Sequence, residues 1–145
     1  MKVLALDVGG RRIGVAISGP SGLLAEPLTT LPRRRDDAAV EGVVRLVHQH
    51  AVDEVVVGIP LETSGQEGDQ ARRVRSFLRK LAHRLPVPIR EVDERYSTQE
   101  ALRLLQERGI PSPRRKEKVD AVAAAVILQT YLDARRREGS PPTTG

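Results

Sequence analysis

The residues of this chain that could do chemistry together are carboxylates at the ends of predicted strands. Asp7 closes the apolar run of residues 3–8, and Asp93 and Glu94 follow a later extended segment. Asp120 falls in the first turn of a predicted helix. Neighbouring buried carboxylates repel one another, so such a cluster persists mainly with cations or shared protons. An all-carboxylate oxygen set favours a hard divalent ion, Mg²⁺ or Mn²⁺, and so indicates metal-dependent phosphoryl chemistry.

Each of these acids also has a simpler interpretation. The acid after the first strand could be a turn residue beside Gly-Gly. Asp120 could stabilise the positive end of its own helix or pair with Lys118. Asp93 and Glu94 could pair with Arg95. Side chains alternate along a strand, and the pattern alone leaves open which of the two acids points toward the cluster.

The elements that must position these acids follow the order βββαβαβαα. Apolar runs and turn signals predict strands at residues 3–8, 13–18, 23–31, 54–60 and 86–92. Helical spacing of apolar residues predicts helices that begin near Asp36 or Asp37, after Gly68, after Ser97 or Thr98, and near Lys118. Three meandering strands followed by alternating helices and strands predict an α/β fold. Its five-stranded mixed sheet has antiparallel strands first and parallel strands after them, with helices on its flanks.

This arrangement gives the acids a place to meet. Functional groups of parallel sheets collect at the carboxyl ends of the strands, where the first and fifth strands end in acids. The last helix is rich in small residues, Ala121 and the run at 123–125. Small side chains let that helix lie close to the sheet, which would bring Asp120 within reach of the other acids.

Composition excludes several classes of protein. Only 2% of the 145 residues are aromatic, which argues against base-stacking platforms, and the absence of cysteine excludes disulfides and thiolate nucleophiles. The net charge of +5 favours a polyanionic partner, and basic residues cluster at 33–35, 114–116 and 135–137. We expect one domain at 1–137, a disordered tail at 138–145, no membrane segment, and a cytoplasmic location.

With these residues placed, the chain resembles the YqgF/RuvX family, described as pre-16S rRNA nucleases or Holliday junction resolvase-like proteins of the RNase H-like superfamily. The resemblance rests on four ordered motifs that span residues 3 to about 132. They are LALDVG with RIGVAIS, VVGIP, DER with ST, and K-x-D with a following Ala-Ala. The chain departs from the family pattern at Gly19, where the family usually has Asp, in a turn outside the proposed cluster.

The resemblance implies an RNase H-like fold and a divalent-metal-dependent nuclease whose catalytic and metal-binding acids are Asp7, Glu94 and Asp120, with Asp93 the alternative to Glu94. Mg²⁺ or Mn²⁺ would be the cofactor. Basic residues would hold the phosphates of the nucleic acid: Arg11, Arg12, Arg95, Arg114, Arg115, Lys116 and Lys118.

The family points to 5′-end maturation of pre-16S rRNA, with cleavage of branched DNA by a Holliday junction resolvase as the alternative. The oligomeric state, monomer or homodimer, stays open. A sugar-kinase or actin-like ATP binder would need a second, related domain for which 145 residues leave no room. A non-catalytic ribosome-assembly factor would keep the fold without needing all three acids.

Overall fold

Five strands form one mixed sheet in the computed structural model, which describes residues 1–94, 99–110 and 119–138. The elements are β1 (Val3–Val8), β2 (Arg12–Ser18), β3 (Ala25–Pro32), α1 (Asp36–Gln49), β4 (Glu54–Ile59), α2 (Asp69–Ala82), β5 (Ile89–Asp93), α3 (Gln99–Glu107) and α4 (Val119–Arg137). The strands lie in the order β3-β2-β1-β4-β5. β2 is antiparallel to β1 and β3, whereas β1, β4 and β5 run parallel. The predicted element order and mixed sheet are confirmed.

The sequence of each strand explains its place in the sheet. β4 is buried at every position because helices cover both of its faces, as its unbroken apolar run indicates. β3 carries Pro27 and lies at the edge, where a missing N–H donor costs least. A register shift at Val15 and Ala16 bends the β2–β3 pair.

Alternate side chains of the sheet enter two separate cores. On β1, Leu4 and Leu6 pack in the cluster that includes the apolar residues of α1 and α2. Val3 and Ala5 pack in the other cluster, with residues of α3 and α4. Since side chains alternate along a strand, Asp7 continues the row of Val3 and Ala5 and lies on the α4 face.

The first layer, α1 and α2, follows the predicted helical periodicity, but α1 begins differently from the expectation. Arg35 occupies the N-cap position, and no side chain caps the helix. Asp36, one of the two predicted caps, instead accepts hydrogen bonds from Arg33 Nε and Lys80 Nζ, each at 2.9 Å. The bond from Arg33 is the main cause that lowers the pKa of Asp36. Asp36 therefore does not cap α1. It instead links Arg33, the residue after β3, to Lys80 of α2.

The second layer depends on polar anchors that fix α4 along the sheet. Gln129 is buried, and its amide accepts from the backbone N–H of Ala25 at 2.9 Å and donates to the carbonyl of Leu23 at 3.0 Å. Glu54, also buried, accepts from the Tyr131 hydroxyl at 2.7 Å and from Arg135 Nη1 at 3.1 Å. Buried polar groups are costly without partners, so these bonds select one position of the helix.

No helix in the described ranges is both long and apolar enough to cross a bilayer. The tail predicted at residues 138–145 lies outside the described residues except for Glu138, whose backbone N–H donates to the carbonyl of Ala134 at 3.2 Å.

Candidate active site

Gly14 brings the start of α4 against the sheet beside Asp7. Gly14 on β2 is the cross-strand partner of Asp7 on β1. A Cβ atom at Gly14 would lie 1.8 Å from the backbone oxygen of Asp120, so only glycine allows this approach. The first turn of α4 therefore rests directly on the strand pair that carries Asp7, as the small residues of this helix predicted.

Gly58, on β4, leaves space for the side chain of Glu94. A Cβ atom at Gly58 would lie 2.8 Å from both Cγ and Oε1 of Glu94, which follows β5 directly. Val92 packs in the α4-side core, so the alternation of β5 carries Glu94 toward the same face. Glu94 thus reaches over the missing side chain of Gly58 toward β1, and the structure brings Glu94 to Asp7.

The side chains of Asp7 and Glu94 lie close enough for each to shift the pKa of the other. Burial raises the pKa of Asp7, which the neighbouring charge of Asp120 raises further. Burial also raises the pKa of Glu94 to about 7, helped by the charges of Asp7 and Asp93. Two desolvated carboxyl groups side by side oppose each other's ionisation, so the pair keeps a proton to a higher pH than a free carboxyl group does.

Asp120, the third predicted acid, is paired with an arginine. Its Oδ2 accepts a hydrogen bond from Arg12 Nε at 2.9 Å. The Arg12 side chain is 65% exposed, whereas that of Asp120 is 26% exposed, so the guanidinium covers the acid from the solvent side. Asp120 is close enough for its charge to act on Asp7. Asp7 is therefore within electrostatic reach of both of the other predicted acids, Glu94 and Asp120.

The donor chemistry of this cluster fits a hard divalent cation. Within the described ranges, no group of three or more carboxylate or histidine side chains is arranged to hold a metal ion. A proton kept by the Asp7–Glu94 pair and the Arg12 guanidinium offset two of the three negative charges. A divalent cation supplies the same two positive charges to the same all-oxygen set.

Arg33 stabilises the loop that follows Asp7. The backbone N–H of Gly9 donates to the carbonyl of Arg12 at 2.9 Å and closes the turn. Arg33 Nη1 donates to the carbonyl of Gly9 at 2.9 Å, and its guanidinium lies 5.1 Å from the centre of the Phe77 ring. Only 11% of this side chain is exposed. The basic run at 33–35 is therefore not a uniform surface patch, because the Arg33 side chain is mostly buried and stabilises the loop after Asp7.

The predicted phosphate-binding residues divide into two groups. Arg11 and Arg12 are exposed on the loop and strand that follow Asp7. The others lie outside the described residues: Arg95, Arg114, Arg115, Lys116 and Lys118.

Sequence reasoning assigned no role to Gly14 and Gly58, although both shape the site. The signal was present, since a glycine inside an apolar strand often marks a close approach of another backbone or side chain. What the sequence did not reveal is the identity of the approaching group.

Comparison with known proteins decides the family. The sequence model described as "RuvX: Holliday junction resolvase" matches residues 1–134. This chain belongs to the RuvX family. A RuvX relative from Frankia casuarinae, named "Putative pre-16S rRNA nuclease", is 47% identical over 144 residues, which cover 98% of this chain and 71% of the relative. A relative of the same name from Chloroflexus aggregans is 45% identical over 134 residues, 92% of this chain and 94% of its own. The family and these names support a nuclease, that is, a hydrolase of phosphodiester bonds.

Solved structures show that the RuvX chain has an RNase H-like fold. The T. thermophilus RuvC protein in complex with a Holliday junction substrate matches with a TM-score of 0.66 at 18% identity, covering 98% of this chain and 99% of that one. The fowlpox virus Holliday junction resolvase matches with a TM-score of 0.54 at 11% identity, covering 92% and 99%. Identities this low carry the fold alone, and the predicted fold class is confirmed.

Proposed function

We propose that this protein is a divalent-metal-dependent nuclease whose catalytic acids are Asp7, Glu94 and Asp120. The observation that carries the proposal is that Asp7, on the α4 face, lies within electrostatic reach of both Glu94 and Asp120. Two glycines within strands leave the space for this arrangement: Gly14 for the backbone of Asp120 and Gly58 for the side chain of Glu94. A non-catalytic assembly factor would have no need of such a costly group of carboxylates.

The residues divide the work as follows. Asp7, Glu94 and Asp120 would hold Mg²⁺ or Mn²⁺, which when bound supplies electrophilic stabilisation of the phosphate and lowers the pKa of water. Glu94 would release its proton as the cation takes over its neutralisation. Arg12 would exchange its ion pair with Asp120 for one with a phosphate of the substrate, and its positive charge would remain in the active site. Arg11 would lie on the exposed loop beside it.

We infer that the substrate is pre-16S rRNA, cleaved during 5′-end maturation in the cytoplasm by a single domain at 1–137. The names of the relatives from Frankia and Chloroflexus support this choice. The second candidate is a branched DNA junction, which the description of the family model favours. The excess of basic residues serves either polyanion, so charge alone does not separate the two.

One assay tests the proposed function. Purified protein is given a structured RNA with a single-stranded 5′ extension and, separately, a four-way DNA junction, each with Mg²⁺, Mn²⁺ or EDTA. We expect metal-dependent cleavage of the RNA, loss of cleavage in Asp7→Asn, and no change in Asp37→Asn, the same chemical change at an exposed position on α1.

Different outcomes overturn different parts. Full activity of Asp7→Asn would refute the assignment of the catalytic acids. Preferred cleavage of the junction would replace the RNA substrate with DNA. Absence of metal-dependent cleavage of both substrates by the wild type would favour the assembly factor.

A further inference from the structure

Two exposed arginines beside the active centre, Arg11 and Arg34, have side chains with no acidic partner among the described residues. Their neighbours are engaged: Arg12 pairs with Asp120 at 2.9 Å, and Arg33 is buried against Asp36. The basic run at 33–35 is therefore divided. One residue braces the fold, and the next projects from it without a counter-charge.

Strand pairing places both arginines at the same end of the sheet. Arg12 on β2 is the partner of Pro32 on β3, and the backbone N–H of Arg33 donates to the carbonyl of Arg11 at 2.7 Å. Arg11 thus lies opposite Arg33, the residue before Arg34, at the end of the sheet where Asp7 lies. An exposed arginine with no acidic partner contributes little to folding. The arrangement favours an external anion.

The spacing of the sheet indicates which anion fits. Neighbouring strands are about 4.8 Å apart, and β3 lies two strands from β1, so Arg34 stands about 10 Å from the strand that carries Asp7. Phosphates of one nucleic-acid strand advance about 3.4 Å per nucleotide along a duplex. A backbone that passes over Asp7 and runs toward β3 would therefore meet Arg34 within a few nucleotides.

We propose that Arg11 and Arg34 form a phosphate-binding rim that holds the backbone of the nucleic-acid substrate on the β3 side of the active centre. The proposal deepens the proposed function, on which it rests, and assigns to Arg34 a role that the sequence did not give it. The rim would contact only phosphates and no base edges, so it would not recognise sequence. It therefore contributes affinity equally to all sequences.

Equilibrium binding without cleavage tests the rim. Fluorescence anisotropy in EDTA measures the affinity of wild type and variants for the structured RNA and for the four-way DNA junction, each from 50 to 200 mM salt. We expect Arg34→Ala to weaken binding about 3- to 10-fold and to reduce the slope of log K against log salt by about 1, and the double variant Arg11→Ala/Arg34→Ala by about 2. The matched control is Arg45→Ala, which removes another exposed arginine without an acidic partner among the described residues, in the middle of α1.

The outcomes separate the rim from the proposed function. Loss of affinity and slope in Arg34→Ala but not in Arg45→Ala supports the rim, even if no preparation cleaves either substrate. Equal behaviour of Arg34→Ala and Arg45→Ala, or no binding of either nucleic acid by the wild type, overturns it. Circular dichroism melting accompanies each variant, and we expect unchanged stability because neither arginine supports the fold.

Discussion

Replacement of Gly58 by alanine should disable the active centre while leaving the protein folded. The new Cβ would lie 2.8 Å from Cγ of Glu94 and 2.7 Å from Cδ1 of Ile127. Carbon atoms prefer separations of about 3.5 to 4.0 Å, so each side chain must retreat by about 1 Å. Both obstacles are flexible side-chain ends rather than backbone, and the strand itself can stay in place.

The size of the effect follows from this displacement. Overpacking in a core costs about 1 to 3 kcal/mol, and alanine regains about 0.5 to 1 kcal/mol over glycine inside a strand, so we expect a loss of about 1 to 2 kcal/mol in the free energy of unfolding. Activity should fall much more. A shift of about 1 Å in a positioned catalytic group lowers the rate by about 100-fold, and Glu94 would be moved away from Asp7 by this amount.

Urea unfolding and initial rates of metal-dependent cleavage measure the two effects on one preparation. The control is Gly42→Ala, where the added Cβ meets Leu31 Cδ1 at 3.3 Å on the opposite face of the sheet and gains up to about 1 kcal/mol of helix propensity. We expect its activity to equal that of the wild type. A Gly58→Ala protein that cleaves at the wild-type rate would refute the role given to this opening and to Glu94.

Two further predictions concern the same group. Gly14→Ala should cost at least about 3 kcal/mol in urea unfolding, because the Cβ would lie 1.8 Å from the backbone oxygen of Asp120 and the helix itself must move; an unchanged midpoint would contradict the contact. The raised pKa of Glu94, about 7 in the folded state, means that the folded protein holds more protons than the unfolded chain between about pH 4.5 and 7. Stability without metal should therefore fall as pH rises through this window, by about 1 to 2 kcal/mol after solvent screening. The fall should be smaller in Glu94→Gln; an equal slope in both proteins, measured by thermal unfolding in EDTA, would contradict the raised pKa of Glu94.

The architecture could be predicted from local patterns because the cores of this fold follow simple periodicities. The apolar rows of α1 and α2 and the unbroken run of β4 each identify one element. Asp7 was identifiable for the same reason, since a carboxylate that closes an apolar strand stands out against its surroundings.

The choice between Asp93 and Glu94 could not be made from the sequence, because it depends on which face of β5 meets α4. That face is decided by the packing of Val92 and by the opening at Gly58, and both are tertiary facts. The role of Arg33 was hidden in the same way. A basic run reads as surface charge until the ring of Phe77 and the carbonyl of Gly9 are seen to enclose one of its members.

The central claim is that Asp7, Glu94 and Asp120 together bind a divalent cation. Calorimetric titration of Mn²⁺ into wild-type protein and into Asp7→Asn, Glu94→Gln and Asp120→Asn tests it most directly, with Asp37→Asn as the control. We predict saturable binding by wild type and control, and at least about 10-fold weaker binding in each of the three variants, since each loses an anionic ligand. Wild-type affinity in any of the three variants, or no binding by the wild type, would contradict the claim.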